Sequence, residues 1–123
     1  MVVDDEPDIV RLVSFSLKRS GFEVLEASDG LSAIAIAEEE QPDLILMDVM
    51  MPVMNGYDAS RKLKENPRTS HIPIIMLSAK SQQTEVAAGL DSGAETYICK
   101  PFTPSDLVEQ VTRFIGQNEG KGQ

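Results

Sequence analysis

The stretch Leu44-Ile45-Leu46-Met47-Asp48-Val49-Met50-Met51-Pro52 runs four apolar residues straight into a carboxylate, then continues with more apolar residues and a proline. Aspartate is depleted in strands. Taking its charge out of water without a partner is costly. An apolar run that ends on an acid fits a strand buried on both faces, whose last residue reaches an edge where the charge finds company.

Working outward, further strand-like runs occur at 1–3, 23–27, 74–77 and 96–99. Helix patterns lie between them. Ile9, Val13 and Leu17 repeat at four-residue spacing behind Pro7, which suits a first helical position, and Gly21 stops that helix. Asp29-Gly30 opens a second helix, with Leu31, Ile34 and Ala37 on one face. Asn55-Gly56 opens a third, ended by Asn66-Pro67. A fourth spans about 81–92, with Gly93 as its stop. In the fifth, Thr103 caps, Pro104 follows, Asp106 stands three beyond the cap, and Leu107, Val111, Phe114 and Ile115 form an apolar stripe. Five strands alternating with five helices predict an α/β fold, a doubly wound three-layer sandwich with a parallel sheet covered on both faces. Residues 1–116 form one domain, and the polar, glycine-rich 117–123 reads as a tail or the start of a linker.

Bulk properties agree. A chain of 123 residues fits one domain and buries roughly two thirds of its unfolded surface. Neither a membrane-length apolar run nor a signal-peptide pattern is present. The single Cys99 excludes an internal disulfide and suits a reducing, cytoplasmic compartment. A net charge of −9 argues against direct nucleic-acid or anionic-membrane binding. With one histidine, His71, a multi-histidine metal site is impossible.

In an open parallel sheet the carboxyl ends of the strands share an edge where ligands bind. Here those ends carry Asp4-Asp5, Asp48, Ser78 and Lys100. Carboxylates crowded together repel unless a cation joins them. Oxygen ligands without thiolate or imidazole suit Mg²⁺, or Mn²⁺, better than zinc. Lys100 adds a point charge matched to phosphoryl oxygens, and Ser78 a hydroxyl. Aspartate is a known nucleophile toward phosphorus. The set describes an aspartate that accepts a phosphoryl group. Each residue also has a plainer reading when taken alone. Asp4-Asp5 can cap or turn ahead of Pro7, Ser78 can be a satisfied hydroxyl, and Lys100 a surface lysine. Met47, Met50, Met51 and Met54 read as core filler or a soft surface, with no cofactor assigned.

"VVDDEP", "DLILMDVMMPVMNG", "PIIMLSA" and "YICKPF" together resemble the receiver domain of two-component response regulators, over residues 2 to about 116. The resemblance implies a flavodoxin-like fold with strand order 2-1-3-4-5. It implies phosphorylation of Asp48 by a sensor histidine kinase or a histidine phosphotransfer protein. Asp5 and Asp48 would ligate Mg²⁺ directly, Asp4 mainly through water, and the Met50 backbone carbonyl would add a ligand. Lys100 would pair with the phosphoryl group, Ser78 would move toward it, and Tyr97 would turn inward in response. The Lys100–Pro101 bond would be cis. The face of the fourth helix, fifth strand and fifth helix would then meet a downstream protein or output domain, or a second copy in a phosphorylation-dependent dimer. On this reading the domain is a signalling switch in a phosphorelay, not an enzyme with external turnover. Met50 and Lys80, two after Asp48 and Ser78, offer no base to orient water, so self-dephosphorylation is expected to be slow. Two other functions compete: a constitutive docking module, against which the intact acid, hydroxyl and lysine set speaks, and a phosphohydrolase, against which Met50 speaks because that class carries an acid at this place.

Overall fold

A computed structural model describes residues 1–49, 51, 54–79, 96–100 and 102–121. Its strands are β1 (Val2–Val3), β2 (Glu26–Ala27), β3 (Ile45–Asp48), β4 (Ile74–Ala79) and β5 (Thr96–Lys100). The helices are α1 (Pro7–Arg19), α2 (Gly30–Glu40), α3 (Gly56–Glu65) and α4 (Pro104–Lys121). The expected helix over 81–92, Gly93 and Pro101 lie outside the described residues. All pairings are parallel and the order is β2-β1-β3-β4-β5, as the resemblance implies.

Local chemistry sets the helix ends. Pro7 opens α1, with Asp8 in its first turn and Lys18 and Arg19 in its last, each matching the helix dipole. Gly21, at φ +96°, lets the amides of Gly21 and Phe22 turn back to the carbonyls of Lys18 and Leu17. Asp29 Oδ1 accepts from Ser32 N at 2.8 Å, Asn55 Oδ1 from Asp58 N at 2.9 Å, and Thr103 Oγ1 from Asp106 N at 3.1 Å, capping α2, α3 and α4. Beyond α3, Thr69 Oγ1 donates to Leu63 O at 2.6 Å and Lys64 Nζ to Ile72 O at 2.7 Å, which fixes the turn into β4.

The sheet separates two apolar layers. Along β3, Ile45 and Met47 join a cluster with Ala33, Ala37, Ala59 and Leu63 from α2 and α3. Leu46 joins the other, with Val13 and Leu17 of α1 and Leu107 and Val111 of α4. β4 alternates in the same way, Ile74 and Met76 against Ile75 and Leu77. Continuous apolar runs are therefore read correctly as strands buried on both faces. Fully burying such a side chain contributes about 1.5–3 kcal/mol, and truncating the buried Ile75 to alanine costs about 2–5 kcal/mol.

Two expectations need correction. Leu31 is 53% exposed and does not belong to the buried face of α2, which is made by Gly30, Ala33 and Ala37. These small residues let α2 lie close to its neighbours: a Cβ on Gly30 would stand 3.0 Å from Met54 O and 3.1 Å from the Ala59 Cβ. The second strand is shorter than 23–27, because β1 offers it only two residues to pair with, Val2 and Val3. The backbone of α4 is helical to Lys121, and the expectation that 117–123 is a tail or the start of a linker stands apart from that.

Candidate functional site

Register brings the chemistry together. Val2 and Val3 pair with Leu46 and Met47, so one step further along, Asp4 stands level with Asp48. Asp48 pairs with Leu77, placing Ser78 one position past it on β4. Ser78 and Ala79 pair with Cys99 and Lys100. Asp4, Asp48, Ser78 and Lys100 thus stand at the carboxyl ends of four adjacent strands. Met50 lies outside the described residues.

Asp4 and Asp48 are almost completely buried, 1% and 4% exposed, while Asp5 and Glu6 face solvent. The Asp4 amide donates to Ala27 O at 3.2 Å, holding the end of β1 to β2. Its carboxylate oxygen Oδ1 accepts from Glu6 N at 3.0 Å, a turn that carries the chain into α1. Carboxylate oxygens of Asp4, Asp5 and Glu6 lie within 4.8 Å of one another. Glu6 was not anticipated, although its place directly after the acidic pair was a visible signal. An open depression of about 390 Å³ beside Asp4 and Asp5 is lined also by Pro7, Val10, Arg11 and Ala27. A larger cavity, about 480 Å³, opens at the opposite edge beside Met1, Phe22 and Leu44, away from the acidic cluster. Convergent carboxylates, not volume, mark the site.

On the far side of Asp48, α3 begins hard against the strand. The Gly56 amide donates to Val49 O at 2.9 Å. A Cβ on Gly56 would collide with the Asp48 carbonyl oxygen, so only glycine allows this approach. The next residue, Tyr57, receives a hydrogen bond from the Tyr97 hydroxyl, with the oxygens 3.4 Å apart. Tyr97 is half-buried against the α2–α3 side of the core. No sequence signal announces this contact, since nothing in the sequence links residues forty positions apart.

A family model for the response regulator receiver domain matches residues 1–112. The chain belongs to this family. As a receiver domain of two-component signalling it is a phosphoacceptor switch, not an enzyme that turns over an external substrate. The DNA-binding response regulator MtrA of Mycolicibacterium smegmatis is 40% identical over 97% of this chain and 51% of its own length. A putative response regulator from Chloroflexus aurantiacus aligns with TM-score 0.87 at 31% identity, covering 94% of each chain. The receiver domain of the sensor histidine kinase PA1611 of Pseudomonas aeruginosa, with a magnesium ion coordinated in its active-site cleft, aligns with TM-score 0.85 at 33% identity, again over 94% of each. The chain spans about half the length of the curated relatives it matches. A receiver domain implies a histidine kinase as partner. Among the described residues, no helix is long and apolar enough to cross a membrane.

Proposed function

We propose that Asp48 is the phosphoacceptor of this receiver and that phosphorylation there switches the face around β5. The observation that carries the reading is a nearly buried Asp48 carboxylate at a strand end, level with Asp4 and its acidic neighbours. Burial keeps water away from an acyl phosphate, and the strand fixes the nucleophile in direction. A carboxylate oxygen of Asp48 attacks phosphorus, the P–N bond of a phosphohistidine breaks, and the imidazole leaves with the electron pair. A phosphohistidine of the kinase itself and one of a phosphotransfer protein serve alike as donors, as the attack is the same.

Mg²⁺ fits the donor set, which is all oxygen, strongly anionic and close-packed at Asp4, Asp5 and Glu6. Asp5 and Asp48 would hold it directly, Asp4 through water, with the Met50 carbonyl as a further ligand. Such an ion supplies positive charge that offsets the carboxylates and the incoming phosphoryl oxygens. Lys100 and Ser78, at the ends of β5 and β4, are assigned to the same phosphoryl group. Tyr97 is assigned as the responding aromatic. A face that includes β5 and α4 is assigned to a downstream protein, an output domain or a second copy. The domain is read as residues 1–116, leading into a linker, and as cytoplasmic.

Asp48→Asn is expected to abolish labelling by acetyl phosphate or a kinase, read by the mass increase of the intact protein. Stoichiometric labelling of that variant would refute the assignment. Because Met50 and Lys80 supply no base, the phosphoryl group should persist, and decay within seconds would exclude that reading.

A further inference from the structure

We propose that Tyr57 is a positioning residue that holds Tyr97 in its inward orientation and so ties the exit of the phosphoacceptor strand to β5. The inference rests on the reading of Asp48 and Tyr97 given above and names a residue that reading does not use.

Three contacts form the link. Gly56 is seated on the backbone of Asp48 and Val49, so the start of α3 cannot shift without the phosphoacceptor strand end. Tyr57 follows immediately, and its hydroxyl accepts from Tyr97. Both rings pack against one apolar cluster, which includes Met47, the residue before Asp48, and Met76, the register partner of Tyr97. Tyr97 is therefore held on its inner side both by packing and by a hydroxyl contact to the element that touches Asp48.

A hydrogen bond between two half-buried phenols is formed only while Tyr97 keeps this orientation, so the contact biases Tyr97 toward it. At 3.4 Å it is a long hydrogen bond, and its bias is small. A ligand that favours the inward orientation must work against any loss of that bias.

The protein contains two tyrosines and no tryptophan, which makes the test direct. In Tyr57→Phe, biosynthetic fluorotyrosine reports on Tyr97 alone by fluorine NMR. The variant keeps the ring in the core, so its melting temperature should stay near that of the parent chain. The Tyr97 resonance is expected to move or broaden relative to the parent, and binding of beryllofluoride with Mg²⁺, followed by calorimetry, to weaken about two- to fivefold. Tyr97→Phe removes the same hydroxyl contact and should weaken binding similarly, with the double variant no weaker than either single one. An unchanged or tighter midpoint, an unmoved Tyr97 resonance, or additive losses in the double variant would overturn the proposal. A parent chain that ignores beryllofluoride would instead remove the Asp48 reading, and this inference with it.

Discussion

Gly56 sits directly against the carbonyl oxygen of Asp48, with its own amide bonded to Val49 O at 2.9 Å. The placement of the phosphoacceptor strand end thus depends on a missing side chain. Gly56→Ala forces the start of α3 or the end of β3 to move. It should destabilise the fold by roughly 1–3 kcal/mol, the usual cost of overpacking. Chemical denaturation reads the loss, and labelling by acetyl phosphate should slow beyond what unfolding accounts for. A variant as stable and as readily labelled as the parent would show that the contact constrains nothing.

The acidic cluster yields an ordered pair of variants. Asp5→Asn should lower Mg²⁺ affinity roughly tenfold or more, because it removes an assigned direct ligand, whereas Glu6→Gln should lower it only about twofold through lost charge. Titration calorimetry separates them. Equal losses would make Glu6 a ligand of the same rank.

Thr69 tests the frame rather than the chemistry. Its hydroxyl is buried and donates to Leu63 O at 2.6 Å, occupying a carbonyl at the end of α3. Thr69→Val keeps the shape but leaves that carbonyl without this donor. A loss of about 1–3 kcal/mol is expected in urea unfolding, with Mg²⁺ binding unchanged. Weakened Mg²⁺ binding at equal stability would contradict this division.

The Met1 ammonium, bonded to Leu44 O at 2.7 Å, gives a pH prediction for the polypeptide that begins there. Burial lowers its pKa from 8.0 to about 6, with Asp43 pulling weakly the other way. Between those values the unfolded chain binds more protons than the folded one, so stability rises with pH across that window. Below about pH 6 both states carry the charge and the penalty is complete, on the order of 2–3 kcal/mol. Denaturation from pH 5.5 to 8.5 should show the rise, and N-terminal acetylation should flatten it. A rise that survives acetylation would belong to other groups.

The fold was readable wherever burial on two faces wrote itself as unbroken apolar runs, as at Leu44–Leu46 and Ile74–Leu77. The caps at Asp29, Asn55 and Thr103 were readable because one side chain serves an amide three residues on. Placement of Asp4 level with Asp48 was foreseeable from the shared edge of a parallel sheet. Leu31 was misplaced because a face lined by Gly30, Ala33 and Ala37 buries little per residue and looks weak beside a leucine. The Tyr57–Tyr97 contact was invisible because it depends on how far α3 stands from β5, which no local pattern encodes.

The register of β3 on β4 has a consequence for folding fidelity. Ile45, Leu46 and Met47 face Ile74, Ile75 and Met76 across the ladder, apolar on both sides of the sheet. Sliding one strand by a residue would trade one aliphatic neighbour for another, so greasiness cannot choose the alignment. What chooses it stands at the two ends. Thr69 and Lys64 lock the entry to β4, and Asp48 resists being drawn any deeper between the layers. The charge that serves the signal also acts as a stop, telling the growing sheet where the strand must end.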